Sequence, residues 1–145
     1  MEFNKNAGQD LLDVFCSVTG VSASHPAIAK VDYGETADFA DQNLYPLAFL
    51  ELPFQIQEDK QTEEYSIALN VLDRFDVENQ RILTLSKCKQ ILSQIKEKLK
   101  ERFVSVSDGS YLTYDETGSD QAVGIRMEFT ATVTKMPIKC NDIFS

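Results

Sequence analysis

The residues that most often carry catalysis are few in this chain. The only histidine, His25, precedes Pro26, and no serine or cysteine near it in sequence suggests a nucleophile and base pair. Catalytic groups often come from distant segments of a chain. His25 could therefore act as a base on a nucleophile that is remote in sequence, or it could be an ordinary loop residue. The pattern favours an exposed loop histidine.

Paired carboxylates could supply general acid and base groups or oxygen ligands for a divalent cation. None of the pairs has the spacing of a calcium loop or the division of roles of a glycosidase site; they are Asp38/Asp41, Glu58/Asp59, Glu63/Glu64 and Asp115/Glu116. The cysteines are odd in number and include no CxxC pair, which disfavours a disulfide framework or zinc site; they are Cys16, Cys88 and Cys140. We therefore predict no catalytic residue, metal or cofactor, and a protein that is not an enzyme.

The elements that would position any site begin with a short helix. Apolar residues recur at helical spacing from Gln9 to Val18, and Thr19-Gly20 offers a stop. Residues 21–43 read as a connection with a short strand near 29–33. The segment from Leu47 to Ile56 then alternates as a strand does, and Pro53 favours placing it at a sheet edge or bending it there.

The second half of the chain contains the clearest periodicities. Glu58–Glu64 links the preceding strand to the alternating run 65–71, which predicts an antiparallel hairpin. Apolar residues every three or four positions predict a long helix from Gln80 to about Arg102. Strand-like pieces follow at 103–106 and 111–114, and the alternation from Ile125 to Val133 predicts a last strand.

Together these elements predict an α+β fold. Its antiparallel twisted sheet would pack one face against the long helix, with a short N-terminal helix beside it. A length of 145 residues and 43% hydrophobic content suit a single domain over residues 1–145, with 1–8 as an extended arm and 135–145 as an extended tail.

Charge and strand edges suggest where other molecules bind. The net charge of -9 disfavours non-specific binding of nucleic acid, although an acidic protein can let DNA slide past it. Two charged segments, the link Glu58–Glu64 and the basic end of the long helix, each have two interpretations. Each is either a charged surface that faces only water or a surface that binds another molecule. We predict a channel-facing acidic loop at Glu58, Asp59, Glu63 and Glu64, and a subunit interface formed by an edge strand and a basic helix face at Leu47, Phe49, Glu51, Lys96, Lys98, Lys100 and Arg102.

The order of elements from Gln9 to Thr134 resembles a known family. The strand opening Tyr45-Pro46-Leu47, the charged hairpin, the long helix and the loop 115–121 before Ala122–Phe129 are similar to the tail terminator and tail-completion (neck) proteins of tailed bacteriophages. The resemblance implies a structural virion protein, assembled in the host cytoplasm, that forms a six-fold or twelve-fold ring. Such a ring would line or seal the DNA channel and contact portal, connector or tail proteins.

Two other hypotheses belong to different classes. A small acidic inhibitor or immunity-type protein would mask a basic enzyme by complementary charge. A small enzyme would assemble its site from distant acidic residues, with or without a metal. The longest apolar run, Leu47–Leu52, is too short to cross a bilayer, so we expect no membrane contact.

Overall fold

The computed structural model describes residues 7–35, 44–52, 54–75, 80–116 and 122–136. These ranges contain two helices and seven strands in an α+β arrangement, with four strands between the helices and three after the second. Their bounds are α1 Leu11–Ser24, β1 Lys30–Gly34, β2 Leu47–Glu51, β3 Gln55–Glu58, β4 Thr62–Arg74, α2 Arg81–Leu99, β5 Ser105–Val106, β6 Ser110–Glu116 and β7 Ala122–Thr134.

All seven strands belong to one sheet, in the order β1-β2-β4-β7-β5, with β3 also pairing with β4 and β6 also pairing with β7. The predicted purely antiparallel sheet is wrong in one respect, because β1 and β2 are parallel. Lys30 lies opposite Leu47, so the chain returns to the same end of the sheet before β2 begins. The sheet is therefore mixed.

The first helix is longer than its sequence predicted. Asp10 and Asp13 form a capping box at its start, each side chain accepting from the other's backbone N–H at 2.9 and 3.0 Å. The predicted stop at Gly20 is wrong, and α1 continues to Ser24. Burial of Val21 and Ser22 on the core side outweighs the cost of a helical glycine, about 1 kcal/mol.

The segment from Leu47 to Ile56 is not one edge strand. It divides into β2 and β3 on either side of Pro53, which itself lies outside the described residues. The edge prediction fails for β2, whose free side β1 covers, but holds for β3, which pairs with β4 alone. Leu47 and Phe49 are only 1% and 0% exposed, which explains the continuous apolar run of a strand buried on both faces.

The centre of the sheet is the antiparallel pair of β4 and β7, each of which has 13 residues. Alternate residues of both strands face the helices and form the core with α2, as the sequence predicted; they include Ile67, Leu69, Met127 and Phe129. The predicted β3–β4 hairpin, the long helix and the last strand are confirmed within a few residues. Both helices, rather than the long one alone, pack on this face.

The helices divide this face between them. α1 contacts β1 and β2, whereas α2 contacts β4 and β7. The first and last described residues meet near the β3–β4 turn, where the Gln9 N–H donates to the Thr134 carbonyl at 2.9 Å and Gly8 lies against Met136. Residues 1–6 and 137–145, most of the predicted arm and tail, lie outside the described residues.

Two glycines give opposite predictions for the same substitution. A Cβ on Gly124 would come within 2.9 Å of Leu72 and Tyr114 side-chain atoms, whereas a Cβ on Gly20 would meet nothing within 4 Å. We expect Gly124→Ala to lower the free energy of unfolding by about 1–3 kcal/mol. Gly20→Ala should raise it by up to about 1 kcal/mol, since alanine is the better helix former.

Urea denaturation of both variants measures these changes. A Gly124→Ala variant as stable as the original chain would show that Tyr114 and Leu72 move aside at no cost, contrary to this packing.

Candidate interaction surfaces

The predicted strand contact does not lie at the surface. Leu47 and Phe49 are buried within the chain, so their side chains present nothing to a second subunit. The third residue of that prediction, Glu51, lies at the end of β2 with its side chain 17% exposed. It faces away from the helices and holds a polar network on that side of the sheet.

Arg126 of β7 is the centre of this network. Its Nε donates to Glu51 Oε2 at 2.7 Å and its Nη2 to Glu51 Oε1 at 3.2 Å, while Nη1 pairs with Glu128. The hydrogen bond to Glu51 is the main cause that raises the pKa of Arg126. Buried Asn70 donates to Glu51 Oε2 at 2.8 Å and accepts from the Tyr114 hydroxyl at 3.0 Å. These contacts tie β2, β4, β6 and β7 together.

A groove of about 560 Å³ lies beside this network. Its lining is largely polar and includes Glu51, Ser66, Asp108, Arg126, Glu128 and Thr130. Because two carboxylates already hold Arg126, the guanidinium is engaged within the chain. The groove therefore contains a fixed ion pair rather than an evident acid and base.

His25 lies on the other side of the molecule. Its Nε2 is 2.6 Å from Gln94 Oε1, and its Nδ1 accepts from the Ala27 N–H at 3.1 Å. The residue is half-buried at the end of α1, where the sequence predicted an exposed loop. Both ring nitrogens are thus engaged in local contacts.

The predicted acidic loop is shorter than expected, because Glu58 belongs to β3 while Glu63 and Glu64 belong to β4. Only residues 59–61 connect the strands, closed by the Asp59 N–H donating to the Thr62 carbonyl at 2.9 Å. Glu58 and Glu63 are direct cross-strand neighbours. Lys135 pairs with Glu58. Most of the predicted loop is therefore part of a β-hairpin, in which Glu58 and Glu63 face each other across the two strands.

The start of α1 adds to this negative region. Tyr65, only 1% exposed, donates its hydroxyl to Glu63 at 3.3 Å. Burial, followed by the charge of Glu63 and then those of Asp10 and Asp13, raises the pKa of Tyr65 to about 12. The same carboxylates therefore act on one tyrosine from the hairpin and from α1.

The predicted basic helix face divides into two parts. Lys98 pairs with Glu101 and Lys100 with Glu97, both at 2.9 Å, as exposed neighbours on the helix. Lys96 instead lies 5.8 Å from the ring centroid of Tyr111, and Lys89 lies 5.0 Å from the same centroid. Arg102 contributes its backbone carbonyl, which accepts from the Gln9 amide at 2.9 Å.

The predicted interface left out Lys89, although it belongs to the basic cluster of α2, and sequence reasoning missed Tyr111, Asp10 and Asp13. Lys89 and Lys96 are seven residues apart and so lie on one helix face, a spacing that was visible in the sequence. Nothing in the sequence placed Tyr111 beneath them, because its position against α2 depends on the pairing of β6 with β7 in the sheet.

Comparison of the sequence with protein-family models gives no match, and comparison with curated proteins gives none. Among the described residues, no three of His, Cys, Asp and Glu gather as metal ligands would. Neither of the helices in those ranges is long and apolar enough to span a membrane.

Two carboxylates on the same arginine should differ in their contribution to stability. Glu51 is mostly buried, whereas the Glu128 side chain is 56% exposed. We expect Glu51→Gln to lower the free energy of unfolding by about 1–3 kcal/mol, because it weakens a buried charge-assisted pair. Glu128→Gln should cost less than about 1 kcal/mol. Urea denaturation of both variants at pH 7 measures these changes. Equal losses of free energy of unfolding in the two variants would contradict the difference in burial.

Tyr65 should contribute to the loss of stability in alkali. An unfolded tyrosine ionises near pH 10, so the folded chain holds this proton to higher pH than the unfolded chain does. The free energy of unfolding must then fall as pH rises from about 10 to about 12. Tyr65→Phe should make this decline shallower in denaturation curves, with Tyr33→Phe as control for removing a tyrosine hydroxyl. An unchanged slope for Tyr65→Phe would refute this assignment.

Proposed function

We propose that this protein is a structural subunit that assembles with copies of itself into a ring, without catalysing a reaction. The observation that carries this proposal is that the sheet is open on both sides. On one side β1 pairs only with β2 and β3 only with β4; on the other, β5 and β6 each pair only with β7. These pairings hold for the strands within the described ranges.

Each open side also exposes large apolar side chains. Tyr33 and Ile56 lie on the β1 and β3 side, whereas Val104 and Leu112 lie on the β5 and β6 side. Exposed strand edges with apolar side chains favour pairing with another chain. Because the two sides differ, contact between copies would be heterologous, and a heterologous contact closes into a ring when its rotation permits.

We further propose that the ring belongs to the neck or tail of a tailed bacteriophage, with six-fold or twelve-fold symmetry. The support is the resemblance in element order from Gln9 to Thr134, together with the α+β fold. The net charge of -9 suits a channel wall that DNA passes without binding. Portal, connector or tail proteins would be the neighbours above and below.

The acidic hairpin supports a second candidate, a small inhibitor or immunity-type protein that masks a basic enzyme. Glu58 and Glu63 lie side by side on adjacent strands, an arrangement that a cationic partner would stabilise. Such a protein would bind one basic partner in a one-to-one, salt-sensitive complex. Basic proteins that the chain captures in a pull-down can be titrated with it in a calorimeter. The measured stoichiometry would distinguish a one-to-one complex from self-association of the chain.

The ring proposal is tested by native mass over a wide concentration range, with electron micrographs of any large species. We expect closed rings for the original chain. Leu112→Ser should raise the concentration needed for assembly about tenfold or more, because it removes an apolar contact of about 1.4 kcal/mol or more at the sheet edge.

Leu83→Ser is the matched control, since Leu83 is 71% exposed and Leu112 63%, but Leu83 lies on α2 rather than on a strand. Equal effects of the two substitutions would contradict a contact at the sheet edge. A chain that stays monomeric throughout, alone and with portal or tail proteins, would overturn the proposal.

A further inference from the structure

The helix layer is charged oppositely on its two sides. α1, over β1 and β2, contains one acidic residue, Asp13, and no basic residue, and it is capped by Asp10. α2, over β4 and β7, contains one acidic residue, Glu97, and five basic ones, which are Arg81, Lys87, Lys89, Lys96 and Lys98. The charge difference therefore runs across the helix layer, from α1 over one open side of the sheet to α2 over its central strands.

The acidic side holds carboxylates that repel one another. Glu58 and Glu63 are directly opposite on β3 and β4, an arrangement that destabilises a sheet. Glu58 and Glu63 lie on the same face of the sheet as Tyr65. Asp10 and Asp13 add negative charge near Tyr65. Lys135 pairs with Glu58 alone. A cationic surface brought against this group would relieve the repulsion.

The basic side holds two lysines whose charges rest on an aromatic ring. Lys89 and Lys96 flank Tyr111 of the edge strand β6, and the Tyr111 hydroxyl lies 3.2 Å from Ser93 Oγ. No carboxylate of the described ranges pairs with either lysine. A cation–π contact leaves the positive charge of each lysine in place, because the ring carries no net charge.

We propose that the acidic surface of one copy, formed by Asp10, Asp13, Glu58 and Glu63, binds the basic surface of the next copy, formed by Lys89, Lys96 and Tyr111. The inference rests on the ring proposal and names its contact. The partner is a second copy because both surfaces exist in every chain, carry opposite charge, and include strands β3 and β6 on opposite sides of the β4–β7 ladder. Complementary charge would also fix the register in which neighbours meet.

This contact differs from the simpler one in which the whole basic end of α2 takes part. Lys98 and Lys100 already have carboxylate partners one turn away. They would have to exchange one exposed pair for another, with little gain. Lys96 is thus the one predicted lysine that the proposed contact retains, and Lys89 joins it.

Zero-length crosslinking tests the contact directly. A carbodiimide joins a lysine amine to a carboxylate only when the two touch, and mixing ¹⁵N-labelled with unlabelled full-length chain separates crosslinks between copies from those within one. We expect mixed-label peptides that join Lys89 or Lys96 to Glu58, Glu63, Asp10 or Asp13. Mixed-label crosslinks only between other residues would overturn the contact.

Charge exchange provides the second test. Lys89→Glu with Lys96→Glu should raise the concentration needed for assembly by about tenfold or more, as should Glu58→Lys with Glu63→Lys. Mixing the two variants should restore assembly as alternating copies, because one kind of junction then joins the original surfaces and the other joins surfaces of exchanged charge. Combining all four substitutions in one chain should restore rings held by exchanged junctions alone. Lys98→Glu with Lys100→Glu, the same change in net charge at lysines outside the proposed contact, should have little effect. Circular dichroism checks that each variant is folded.

The outcomes separate this inference from the function on which it rests. Rings that form normally in every variant overturn the contact and leave the ring proposal standing. Mixed-label crosslinks at the named residues without any ring in micrographs leave the contact standing and overturn the ring. A monomer with no crosslink between copies overturns both.

Discussion

The long antiparallel ladder of β4 and β7 is the constraint on which the rest of the structure depends. Its 13 paired positions run from Thr62 opposite Thr134 to Arg74 opposite Ala122. Because side chains alternate across a strand, this one register sends Ile67, Leu69, Met127 and Phe129 toward the helices and Asn70 and Arg126 to the other side. A shift of one residue would exchange the core for the polar network.

Every other strand is attached to this ladder directly or through one neighbour. β2 and β3 share the free side of β4, and β5 and β6 share the free side of β7, so the sheet ends in two short strands on each flank. Among the described strands, this division leaves four edges rather than two. It also places β3, which contains Glu58, and β6, which contains Tyr111 beneath the α2 lysines, on opposite sides of the ladder.

Much of this fold could be predicted from the sequence. The alternation in 65–71 and 125–133 and the 3.6-residue period of α2 are strong local signals, and all three elements are confirmed. The parallel pairing of β1 with β2 could not be predicted, because strand direction depends on where a long connection returns. For the same reason β2 was wrongly predicted at an edge, although its unbroken apolar run Leu47–Leu50 is typical of a strand buried on both faces.

The candidate surfaces were predictable only in part. Local charge identified the hairpin and the last turns of α2, because the residues of each are close in sequence. The contacts that distinguish Lys96 from Lys98 come from Tyr111, which pairing with β7 places against α2. The Glu51–Arg126 pair joins residues 75 positions apart and had no local signal. These contacts therefore depend on long-range strand pairing, which composition and periodicity do not predict.

The meeting of the first and last described residues beside the hairpin has a practical consequence. Gly8 and Met136 lie against each other, next to the turn between β3 and β4. A label attached at either residue would therefore lie at the same end of the sheet, beside the acidic hairpin and away from the start of α2. In an electron micrograph of an assembly, either label would mark the same rim and so give the direction in which the subunits point.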